Sequence, residues 1–151
     1  MQRDKKIVWL FALSIAGVLF SGYLSGVKFF TSTCALNEPC PYFLGYPACY
    51  FGFGLFLLLF IFSALLFSAK IRKVRGLQWM EVVSFLGVLF AGYFTVGELP
   101  ILFKEGFGAY VLGLPTCAMG FVFFLIIFVI AVVGLTKNRM EKAANTKLPV
   151  D

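Results

Sequence analysis

The chain has 151 residues, of which 61% are hydrophobic and 13% charged, and its mean hydropathy is +0.95. That composition excludes an ordinary soluble domain and indicates an integral membrane protein. With no histidine and only 7 acidic residues, it also argues against haem ligation, imidazole base catalysis, histidine metal sites and a paired-carboxylate hydrolase.

Four apolar stretches are long enough to cross a hydrocarbon core, which takes roughly 20 helical residues. The first runs from about Ile7 to Phe29, behind Arg3, Lys5 and Lys6. It lacks a small-residue cleavage site before the loop, so it reads as a retained helix and not a signal peptide. Gly17 with Ser21, and Gly22 with Gly26, place small residues four apart, the spacing that lets helices approach closely in lipid. The following loop carries Cys34 and Cys40. The second stretch runs from about Leu44 to Ala69 and opens on Pro47, best tolerated in a first helical turn, with Cys49 just behind it. Lys70, Arg72, Lys73 and Arg75 join it to the third, about Leu77 to Val96, which Pro100 is expected to end. The fourth, about Ala109 to Leu135, contains Pro115 and Cys117, and the charged segment from Lys137 onward is expected to fray.

The chain also matches itself. Leu44-Gly45-Tyr46-Pro47-Ala48-Cys49-Tyr50-Phe51-Gly52-Phe53 and Leu112-Gly113-Leu114-Pro115-Thr116-Cys117-Ala118-Met119-Gly120-Phe121 share the frame L-G-x-P-x-C-x-x-G-F. Upstream, Gly17 to Tyr23 recurs as Gly87 to Tyr93, and the same register aligns Trp9 with Trp79 and Ser14 with Ser84. Two copies of one helical hairpin is the simplest reading. The expected fold is an all-α integral membrane four-helix bundle, one domain over residues 1–151, with repeats at about 7–69 and 77–135 and a tail at 136–151. A hairpin repeated as a unit keeps its membrane direction, so the halves should be related by a pseudo-twofold axis along the membrane normal.

Orientation follows from the cations. Of the 13 Lys and Arg, only Lys28 and Lys104 fall outside the N-terminal segment, the middle link and the C-terminal segment. The positive-inside rule therefore puts both termini in the cytoplasm and the loops at about 30–43 and 97–108 outside. The net charge of +6 reads as a membrane-facing rim and not as a nucleic-acid surface. In the repeat register Lys28 falls opposite Glu98, an expected ion pair at equivalent outer helix ends.

All four cysteines then face the oxidising side, and an even count there suits disulfide chemistry. Three pairings are possible; Cys34 with Cys40 and Cys49 with Cys117 is favoured, because the first closes a short loop and the second joins equivalent places near the symmetry axis. A cysteine in a first helical turn has its thiolate favoured by orphan amides and the helix dipole, while an apolar setting opposes it. Structural staples remain the non-enzymatic alternative, and a transporter path lined by thiolates for a soft metal ion is a third class. Tyr46, Tyr50 and Phe51 near the second-helix cysteine are candidates to line a cofactor pocket.

The outer-loop pair Cys34 and Cys40, followed by a helix opening Gly45-Tyr46-Pro47 and continuing to Gly52, resembles the vitamin K epoxide reductase family and, more distantly, the disulfide-bond protein B family. That resemblance implies a four-helix oxidoreductase with quinone as cofactor and a thioredoxin-like extracytoplasmic protein as partner. It implies that Cys34 and Cys40 exchange electrons with the partner while an embedded pair beside the quinone passes them on. The family places a CxxC at the start of the fourth helix, where this chain has Cys117 alone, so Cys49 would supply the second sulfur.

Overall fold

The computed structural model describes residues 5–31, 42–105 and 116–146, and 91% of these are helical. Four helices carry the fold: α1 (Lys5–Thr31), α2 (Ala48–Phe67), α3 (Lys73–Glu105) and α4 (Thr116–Thr146). A small antiparallel hairpin, β1 (Tyr42–Phe43) and β2 (Tyr46–Pro47), precedes α2. Each helix is long and apolar enough to cross a membrane. Helices suit this setting because every backbone group inside the segment is bonded within it, which a hydrocarbon solvent demands.

α1 packs chiefly on α2 and α3 on α4, with lighter contacts between α2 and α3 and between α1 and α4. The core includes Leu10, Phe56, Leu59, Leu77, Met80, Phe124, Ile127 and Ala131. Close approach is set by missing side chains. A Cβ added at Gly17 would fall inside the ring of Phe56, and one added at Gly87 inside the ring of Phe124. One turn on, Gly22 admits Phe53 and Gly92 admits Phe121, each ring lying 3.3 Å from where the Cβ would stand. The fully buried hydroxyls of Ser14 and Ser84 each donate to the carbonyl four residues back, Leu10 at 2.7 Å and Met80 at 2.6 Å. Neither hydroxyl is thus left unsatisfied in the apolar interior, where the cost would be high.

Three boundaries differ from the hydropathy reading. α2 begins at Ala48, not Leu44, because Leu44 and Gly45 turn the chain: their φ angles of 50° and 84° give the two positive values of a type I′ hairpin. Pro47 is then the N-cap of α2, with φ −58° and ψ 133°, instead of its first helical residue. α3 does not stop at Pro100 but runs through it to Glu105. A proline there removes one amide donor, which is tolerated near the end of a 33-residue helix whose last turns lie beyond the apolar span. The charged segment expected to fray continues α4 to Thr146, where Lys137 and Glu141 pair at 3.8 Å one turn apart.

Candidate functional site

The site is built from one face of each of two helices. On α2, Cys49, Gly52 and Phe56 stand at positions i, i+3 and i+7, a spacing that keeps them on one face. Cys117, Gly120 and Phe124 repeat it on α4. The two faces meet: the rings of Phe56 and Phe124 stack with centroids 4.2 Å apart and planes 13° from parallel. Above that stack the glycines present no side chain, and a Cβ added at Gly52 or Gly120 would touch nothing within 4 Å. A cavity results, floored by the two phenylalanines and lined at its other end by both cysteines.

Phe20, Ser21 and Leu24 of α1 and Phe90, Ala91 and Phe94 of α3 form the walls. Counted with its mouth, the cavity holds ≈ 490 Å³ of atom-free space, of which ≈ 60 Å³ is wide enough for the centre of a water molecule. Its lining is almost entirely apolar. The Ser21 hydroxyl is already engaged, donating to the Gly17 carbonyl at 2.6 Å. The remaining side-chain heteroatoms belong to Thr116 and to the half-buried thiols of Cys49 and Cys117. No carboxylate or cation lines the cavity, so among the described residues its chemistry is that of sulfur.

Local contacts fix the start of α2. Cys49 is the second residue of the helix, and its carbonyl accepts a bond from Ser25 Oγ of α1 at 3.2 Å. Phe43 of β1 lies edge-on to Phe51, Phe90 and Phe94, with centroids at 5.3, 5.5 and 6.2 Å. The hairpin therefore joins the head of α2 to the cavity wall on α3. Lys28, at the end of α1, places its ammonium 5.7 Å from the centre of the Tyr42 ring, a cation–π contact that ties α1 to the same hairpin.

Of the residues singled out from sequence, Cys49 and Cys117 come to one cavity, whereas Cys34 and Cys40 lie outside the described residues. Tyr46, Tyr50 and Phe51 do not line it; Tyr46 is exposed, and Phe51 reaches only its wall, 5.9 Å from Phe90. The aromatic lining comes instead from Phe20, Phe56, Phe90, Phe94 and Phe124. Helical spacing from the cysteines would have found Phe56 and Phe124, because i+7 returns to the same face. The α1 and α3 walls had no comparable signal in a chain with 20 phenylalanines. No family model, characterised protein or solved structure matches the chain.

Proposed function

We propose that the chain is a membrane thiol-disulfide oxidoreductase in which Cys49 and Cys117 form the embedded redox pair. The observation that carries this reading is the composition of the cavity. Its lining residues fall into seven couples under the sequence register: Phe20 with Phe90, Ser21 with Ala91, Leu24 with Phe94, Ala48 with Thr116, Cys49 with Cys117, Gly52 with Gly120, and Phe56 with Phe124. That correspondence supports two hairpins related by a pseudo-twofold axis through the Phe56–Phe124 stack. Cysteines seven residues before the stacked rings, about 10.5 Å along each helix, then face each other across the axis.

In the proposed reaction a quinone enters the apolar, aromatic cavity from the membrane. The two thiols lose two electrons and two protons, a sulfur–sulfur bond forms, and the quinone leaves as the hydroquinone. A thiolate of the Cys34–Cys40 pair attacks that disulfide, and exchange through a mixed disulfide restores the Cys49 and Cys117 thiols. The oxidised loop pair then accepts electrons from the dithiol of a thioredoxin-like partner on the outer side. The distribution of cations supports both termini in the cytoplasm and the cysteines on the outer face.

The test is quinone reduction by the purified, pre-reduced chain in lipid nanodiscs, followed by the absorbance change of a soluble quinone analogue. The expected stoichiometry is two hydroquinones per fully reduced chain, one from the Cys49–Cys117 couple and one relayed through it from Cys34 and Cys40, both lost in Cys49→Ser and in Cys117→Ser. Unaltered reduction in both variants contradicts the reading.

A further inference from the structure

The opposite end of the bundle carries a second, chemically unrelated feature. Lys5, Lys6, Lys73 and Lys137 surround a cavity with ≈ 700 Å³ of atom-free space, counted with its mouth, between the start of α1, the start of α3 and the end of α4. Among the described residues one carboxylate, that of Glu141, also lines it, paired with Lys137 at 3.8 Å. Beside it, Arg72, Lys73, Arg75, Arg139 and Lys142 line a cavity with ≈ 1090 Å³ of atom-free space counted with its mouth, and among the described residues no acidic side chain lines it. Lys73 and Asn138 line both, so the two adjoin as lobes of one basic recess.

The recess is built into the fold. Lys6 Nζ donates to the Val133 carbonyl at 3.3 Å, bracing α1 against α4, and Asn138 Nδ2 donates to the Gly134 carbonyl at 2.9 Å. Its depth is marked by tryptophan. Trp9 and Trp79 are exposed on α1 and α3 within two turns of Lys5 and Lys73, and exposed tryptophan on a spanning helix sits at the headgroup level. A concentration of cations between helices at that depth faces lipid phosphate, which is present there at far higher local concentration than any soluble anion.

We infer that this recess binds the headgroup of an anionic phospholipid, with Lys73 shared between its two lobes and Arg139 holding phosphate in the larger one. The inference stands apart from the cysteine chemistry, and neither Lys73 nor Arg139 takes part in it. Each cation contributes about 1 kcal/mol to an anionic headgroup near the surface, which is about fivefold in retention.

Native mass spectrometry of the full chain tests this, with equal amounts of phosphatidylglycerol and phosphatidylcholine of the same acyl chains. The expected spectrum is dominated by phosphatidylglycerol adducts, reduced about fivefold by Lys73→Gln or Arg139→Gln. Arg139→Lys keeps the charge and should keep most of the adduct, as should Lys104→Gln, whose exposed cation lies on the last turn of α3 at the other end. Equal retention of the two lipids, or an adduct insensitive to both glutamine variants, overturns the inference. So does displacement of the lipid by millimolar inorganic phosphate, which would make the recess a site for soluble anions.

Discussion

Cys49 and Cys117 look onto open space because the residue three places on is glycine in both helices. Gly52 and Gly120 therefore differ in kind from Gly17 and Gly87, although all four are helical glycines. At Gly17 and Gly87 a methyl group meets a phenylalanine ring; at Gly52 and Gly120 it meets nothing. Gly17→Ala and Gly87→Ala should each destabilise the fold by about 1–3 kcal/mol through overpacking, read as a lower thermal midpoint in detergent. Gly52→Ala and Gly120→Ala should leave that midpoint unchanged or higher, while the double variant slows quinone reduction by narrowing the cavity. A fall in stability at Gly52 or Gly120 comparable to that at Gly17 would show that the cavity is packed and not open.

The turn between β1 and β2 places a leucine at φ 50°, 80% exposed, where an L side chain is strained. Leu44→Gly should therefore raise stability by about 1 kcal/mol by removing that strain, measured by chemical denaturation in mixed micelles. The hairpin was hidden in the sequence by its own hydrophobicity: Leu44 continues the apolar run into α2, and only Gly45 and Pro47 punctuate it. The four spanning helices were legible because a hydrocarbon solvent imposes a length and an apolar composition that few other segments meet. Their ends were not, since Pro100 stands inside α3 and the charged residues after Leu135 extend α4. Outside the apolar core, water can satisfy backbone groups whether or not the helix continues, so hydropathy carries no stop signal there. The cysteine couple was legible through the repeat frame. The tyrosines beside Cys49 were not its lining, because Tyr50 follows Cys49 directly and points to another face of α2, while Tyr46 stands in β2 before the helix begins.

For the bundle as a whole, charge and sulfur are placed at opposite ends. The basic recess lies where α1 begins and α4 ends, and the cysteine cavity lies where α2 and α4 begin. If the cations face the cytoplasm, a membrane-impermeant maleimide applied to intact, mildly reduced cells should label Cys34 and Cys40. Labelling that requires opening the inner membrane would reverse the orientation and remove the oxidising compartment on which the exchange step depends.

The central claim is that Cys49 and Cys117 exchange between two thiols and one disulfide. It is tested most directly by mapping the cysteine linkages of the purified chain before and after a quinone analogue is added, under nonreducing digestion and mass spectrometry. A Cys49–Cys117 cross-linked peptide, lighter by two hydrogens than its parts, should accumulate with quinone in step with hydroquinone formation and disappear on reduction. Recovery of both cysteines as alkylated thiols at every quinone concentration would contradict the account.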